Sequence, residues 1–166
     1  PSRKSCIAGT TVAIAHPDRV VGASTGASRT SLRYPPCRKE SRWPPWRPKS
    51  VNAGVKGAVA GAGVSLMLAA DMVLAADTTI FALAYCYLGT APDAGSTYAL
   101  PRTVGLKRAF EMALLGDRFD GETALRAGLV NRLVPTGELD AEIDELATRL
   151  AQGPRVAYGE TKALLN

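Results

Sequence analysis

Residues 54–77 read GVKGAVAGAGVSLMLAADMVLAAD, an apolar run loaded with glycine and alanine in which Lys56, Asp71 and Asp77 are the only charged residues. Side chains this small and apolar belong against other protein. The run is also interrupted too often to reach the roughly 18 apolar residues of a membrane span. It reads as a buried strand and turn, then a helix opening on glycine at GAGVSLMLAA, then a second strand, MVLAA, that stops at Asp77. No side chain inside it has obvious catalytic chemistry, so any chemistry at this place must come from the backbone.

The alternation continues to the C-terminus. TTIFAL reads as a strand, and APDAGSTYALPRTVG as turn and helix, with Pro101 marking a break or a helix's first turn. LKRAFEMALLG has apolar residues at helical spacing and a stop at Gly116, and GETALRAG is a short helix ended by Gly128. After the strand LVNRLV, ELDAEIDELATRLAQG is an amphipathic helix with an acidic start and Arg149 near its end, as the helix dipole prefers, and PRVAYGETKALLN continues helical. The fold class is α/β, without an internal repeat.

Residues 1–46 follow no such grammar. Residues 1–50 hold ten Lys/Arg against Asp18 and Glu40, a net +8, whereas the remaining residues hold ten against thirteen acids, a net −3. The overall +5 is therefore a property of one end and does not mark the folded part as a nucleic-acid binder. Seven of the 11 prolines fall in the same 50 residues. Trp43 and Trp46 among arginines would suit stacking on nucleic acid, but a charge run of this kind is ordinarily a solvated tail. The segment is expected to be loop or disordered chain, with CIAGTTVAIA (residues 6–15) as one strand, and no nucleic-acid partner is expected. Cys6, Cys37 and Cys86 form no CxxC pair and are read as free thiols. With no clean signal pattern either, the chain is expected to be cytoplasmic, with no membrane partner and no metal.

Two places invite chemistry. Gly61, Ala62 and Gly63 sit where a strand hands over to a helix, so unpaired N–H groups point outward and small residues let another group approach closely. That suits an oxyanion or a phosphate, and it equally suits tight strand–helix packing. GAVAGAG lacks the GxGxxG order of a dinucleotide site. The second place is Asp93 in TAPDAGSTY, which by itself reads as a helix N-cap.

VKGAVAGAGVSLMLAADMVLAAD, followed by FALAYCYLGTAPDAGSTYALPRTVGLKRAFEMALLGDRFDGETALRAGLVNRLVP, resembles the crotonase superfamily, also called the enoyl-CoA hydratase/isomerase family, over residues 47–166. The wording is closest to isomerase-type members, which share the aspartate of PDAG. The resemblance implies a crotonase-like ββα spiral, incomplete on its N-terminal side because residues 1–46 match none of the family's wording and are truncated or unrelated. It also implies homotrimers or hexamers and an acyl-CoA thioester substrate, with coenzyme A as part of the substrate and no separate cofactor.

The resemblance further implies roles at particular positions. The backbone N–H of Ala62, between Gly61 and Gly63, is one of two donors to the thioester carbonyl oxygen. The two glutamates that hydratases use are matched by Ser65 and Tyr85, which leaves these positions to contact substrate and makes simple hydration a poor fit. Tyr85 and Tyr87, with Cys86 and Leu83, are expected to line or flank the acyl pocket, although aromatics at strand spacing are more often plain core. Asp93 matches the aspartate that moves the proton in isomerases. Aryl-CoA dehalogenases offer another reading, with Asp93 as nucleophile, but they also need a histidine, and His16 is the only one. A third is a catalytically inactive fragment, since the segment supplying the other oxyanion donor has no counterpart. Lys162 meets either coenzyme A phosphates or solvent, and Asp71 and Asp77 are read as holding backbone.

Overall fold

The computed structural model describes residues 10–16, 19–24 and 50–166. The central strand of the sheet is β3, Asn52–Ala60, with β4 (Met72–Ala76) parallel to its first half and β5 (Ile80–Ala82) parallel to its second. Gly57, at φ +78°, stands between the two pairings, so one strand can serve two layers of a spiral. The buried positions 52–55 explain why this sequence is so poor in polar residues: a strand paired on both edges and covered on both faces has no solvated side. Beyond β4 lies β7 (Arg132–Val134), parallel to it, and β6 (Phe119–Asp120) pairs antiparallel with β5.

The other edge of β3 corrects the reading of the N-terminal segment. Thr10–His16 forms strand β1, antiparallel to β3 from Thr10 opposite Gly57 to Ala15 opposite Asn52, and Arg19–Ser24 forms β2, antiparallel to β1. The strand expected within CIAGTTVAIA is thus present over Thr10–His16, and Arg19–Ser24 is a second strand where loop was expected. The physical reason is the open edge of β3, whose N–H and C=O groups need partners and find them in β1, a segment rich in Thr, Val and Ile, whose own outer edge then takes β2. The rest of the basic segment, including Trp43 and Trp46, lies outside the described residues.

Between β3 and β4, helix α1 (Ala62–Leu68) buries Val64, Ser65 and Met67. Helix α2 (Ser96–Val104) contains Pro101 in its interior, where a break or a first turn was expected. The missing N–H at 101 is tolerated in a helix this short, and the actual break comes at Gly105, whose φ of +81° no other residue type adopts easily. Helix α3 (Leu106–Leu115) follows at once and stops at Gly116, φ +67°, as its sequence predicts. Helix α4 (Gly121–Arg126) is capped by Asp120, whose carboxylate accepts from the Thr123 N–H at 2.9 Å; that bond holds the Asp120 carboxyl below the usual carboxylate range. Helices α5 (Leu139–Gln152) and α6 (Arg155–Leu165) complete the chain.

Two apolar clusters hold these layers. One joins Val55, Val59, Val64, Met67, Phe81, Leu83, Tyr85 and Leu100, and the other packs α5 on β4 and β7 through Leu74, Val134, Leu139 and Ile143. Gly54 permits the second: a Cβ there would stand 2.8 Å from Ile143 Cγ1. The carboxylate of Asp71 accepts from the Val51 N–H and from Lys162 Nζ, each at 2.7 Å, tying α6 to the base of the sheet. Asp77 accepts from the Thr136 N–H at 3.1 Å and its hydroxyl at 2.8 Å. Both aspartates hold backbone, as read. Among the described residues no helix is long and apolar enough to cross a membrane.

Candidate active site

The chain turns sharply out of β3 at Gly61, which has φ +52° and ψ −120°, and its N–H is donated to Ala82 O at 2.9 Å. The first intrahelical bonds run from Val64 and Ser65 back to Gly61 O, so the N–H groups of Ala62 and Gly63 meet no backbone acceptor among the described residues. Ala62 is exposed and Gly63 half-buried. One turn further on, Ser65 is buried, with its hydroxyl pointing away from the core cluster's apolar members toward two other elements.

The first of those elements is the short 3-10 turn Tyr85–Leu88. Tyr85 is buried, and its hydroxyl lies 3.3 Å from Ser65 Oγ. Its ring closes the space beside Gly61, where an added Cβ would stand 3.9 Å from Tyr85 Cζ. The second element is the loop before α2. There Tyr85 donates to Asp93 Oδ1 at 2.5 Å, and Ser65 donates to the Asp93 carbonyl at 3.1 Å. Ser65, Tyr85 and Asp93, carried by three different elements, thus form one hydrogen-bonded group. Burial, and then the hydrogen bond to Asp93, push the Tyr85 phenol above its ordinary pKa, so near neutral pH it is a donor and not a base.

Asp93 is not the N-cap that its position invites. Gly95, φ +82°, caps α2 without a side-chain bond, and it is the Asp93 carbonyl that accepts from the Ser96 N–H (3.1 Å) and hydroxyl (2.8 Å). The backbone takes the capping load, and the carboxylate is left exposed with Tyr85 as its hydrogen-bond donor. Beside it opens an apolar cavity of about 190 Å³, lined by Leu83, Pro92, Leu100, Leu106, Ala109 and Phe110 among others.

Some expected neighbours are elsewhere. Lys162 is paired with Asp71. Cys86 is half-buried against Gly116, and Tyr87 is exposed, donating to Leu115 O at 3.2 Å. His16 ends β1 next to the residue opposite Asn52, whereas the Gly61 turn lies past the other end of β3, roughly 25 Å of strand away. Ser96 is the participant that sequence reasoning missed. Its signal was available: a serine three residues after Asp93, in turn-forming company, is placed to bond the carbonyl there.

With this geometry in view, the likeness to known proteins is specific. Residues 47–166 match the family model for enoyl-CoA hydratase/isomerase. The chain belongs to that family. Among enoyl-CoA hydratase/isomerase relatives, a Rhodobacter capsulatus protein named "Probable enoyl-CoA hydratase" is 44% identical over 115 residues, covering 69% of this chain and 45% of the relative. The 1,2-epoxyphenylacetyl-CoA isomerase of Escherichia coli is 39% identical over 119 residues, covering 72% and 45%. The crystal structure of an enoyl-CoA hydratase/isomerase from Cupriavidus metallidurans superposes with a TM-score of 0.68 at 42% identity, covering 70% of this chain and 44% of that one. The fold is therefore crotonase-like, and the chain spans under half the length of the curated relatives it matches.

Proposed function

We propose that this site moves a double bond within an acyl-CoA thioester. The thioester carbonyl oxygen is held by backbone N–H groups, one of them from Ala62, and the negative charge gathered there stabilises an enolate, which makes a neighbouring C–H proton removable. Asp93 takes that proton from one carbon and returns it at another, so nothing is added or lost and a single carboxylate suffices. Gly61 and Gly63 leave room for the thioester to approach the backbone, and Ser65 and Tyr85 border it. Coenzyme A enters as part of the substrate, and no separate cofactor takes part.

The observation that carries this reading is the Asp93 carboxylate, released from capping, exposed, and joined through Tyr85 to the Gly61 turn. Hydration is a poorer fit, because a serine and a protonated tyrosine stand where two carboxylates are needed. The names of the two relatives divide, one an isomerase and one a probable hydratase, so the choice rests on the residues at the site. The apolar cavity beside Pro92 is the place for the acyl group; an engineered dry cavity of about 150 Å³ holds benzene, so 190 Å³ suits a ring or a short chain. The whole protein is proposed to assemble as a trimer or hexamer, which would cover Leu114 and Leu115, exposed at the end of α3.

The test is calorimetric titration with octanoyl-CoA and phenylacetyl-CoA, followed by an assay of 3-enoyl-CoA to 2-enoyl-CoA conversion. Saturable binding with a raised melting temperature and measurable conversion is the expected result. Binding without conversion would reject isomerisation, and no binding at all would leave the catalytically inactive reading in its place. The backbone donor can be examined separately. Ala62→Pro removes the N–H at the helix's first position, where proline is tolerated, so kcat is expected to fall roughly 100- to 1,000-fold with the melting temperature little changed.

A further inference from the structure

Asp93 needs more than exposure to move a proton between two carbons; its reactive oxygen must be held in one place. The loop that carries it is fixed at the backbone, because the Asp93 carbonyl accepts from Ser65 Oγ at 3.1 Å, Ser96 Oγ at 2.8 Å and the Ser96 N–H at 3.1 Å. The carboxylate itself has one described donor, the Tyr85 hydroxyl on Oδ1 at 2.5 Å, the shortest hydrogen bond in this part of the chain. An ionised carboxylate can only accept, so the phenol's single proton is directed at Asp93. Ser65 Oγ lies 3.3 Å from the same phenol oxygen on the core side, with its own proton given to the Asp93 carbonyl.

The backbone around these two residues is held in a sparsely populated conformation. Among the described residues, only two that are not glycine have positive φ: Ala84 at +54°, directly before Tyr85, and Ala94 at +48°, directly after Asp93. An alanine in the left-handed region persists only where the surroundings over-determine it, and such residues gather at functional sites. Here they set the directions in which the two side chains leave the chain.

We propose that Tyr85 is a positioning residue for Asp93: its buried hydroxyl fixes one carboxylate oxygen and so aims the other at the substrate. This rests on the reading of Asp93 as the proton-moving group, and it goes beyond it by giving Tyr85 a task other than lining the acyl pocket.

Tyr85→Phe removes only the hydroxyl and keeps the ring against Gly61. The expected result is a fall in kcat of about 10- to 100-fold, the range of a hydrogen bond to a charged group, with KM changed much less. In an Asp93→Asn background the same substitution should lower the residual rate no further, because a residue that acts through Asp93 has nothing left to position. Additive losses in the double variant, or an unchanged kcat in Tyr85→Phe alone, would overturn the inference. An Asp93→Asn protein with full activity would instead overturn the reading beneath it.

A second arm reads the pair without turnover. In protein labelled on the tyrosine rings, the Tyr85 phenol followed by NMR should titrate at lower pH in Asp93→Asn than in the wild type, because the carboxylate helps keep it protonated. An unmoved titration would mean that the two side chains are not bonded in solution, and the inference would fall.

Discussion

Asp93→Asn should abolish most double-bond isomerisation while leaving the fold intact. General acid–base catalysis by one positioned group contributes roughly 100- to 10,000-fold, and kcat is expected to fall by a factor in that range. The amide is the same size as the carboxyl and can still accept from Tyr85 through its oxygen, and the capping bonds at this position are made by the backbone carbonyl. The melting temperature should therefore stay within a few degrees of wild type. An enoyl-CoA isomerase assay with thermal melting of the same samples checks both halves. Full activity in the variant would remove Asp93 from the mechanism, and a collapsed melting transition would show that its side chain is structural after all.

Phe81→Ala should have the largest effect on stability. Phe81 is wholly buried at the centre of β5, stacked on Phe119 with ring centroids 5.5 Å apart, and it belongs to the cluster that includes Val59, Leu83 and Tyr85. Emptying a buried phenylalanine site costs about 3–5 kcal/mol, against the roughly 5–15 kcal/mol that holds a typical domain folded. The loss would reach the site, because β5 accepts the Gly61 N–H through Ala82 O and leads directly into Tyr85. Chemical denaturation should show a lower midpoint, and acyl-CoA affinity should weaken in parallel. A denaturation midpoint unchanged from wild type would mean that the pair Phe81 and Phe119 is not part of a cooperative core.

Much of this was legible in the chain. The strand, helix and strand between residues 52 and 76 follow from small apolar residues interrupted by glycine, and the stop at Gly116 and the end of α4 at Gly128 come from glycines at φ +67° and +78°. Where the sequence reading failed, the deciding force was not local. Pro101 is a helix breaker by propensity, yet α2 continues through it because Leu100 is packed in the core on the preceding position. Residues 19–24, read as loop, became a strand because β1, seated on the edge of β3, offered its own outer edge as a template.

The sequence alone determined the family, the α/β alternation and the candidate residues Ala62 and Asp93, because glycine geometry, apolar periodicity and ordered motifs are properties of neighbours in the chain. It left Asp93 divided between a helix cap and an acid/base, since both use the same carboxylate at the same spacing. Only the tertiary structure set the cap aside. It brought Tyr85 and Ser65 from two other elements within hydrogen-bond reach of Asp93, and it gave the capping bonds to the main chain. A hydrogen bond depends on distances of about 3 Å in space. Residues separated by 28 positions, as Ser65 and Asp93 are, acquire such a distance only when the helix and the loop that carry them have packed together.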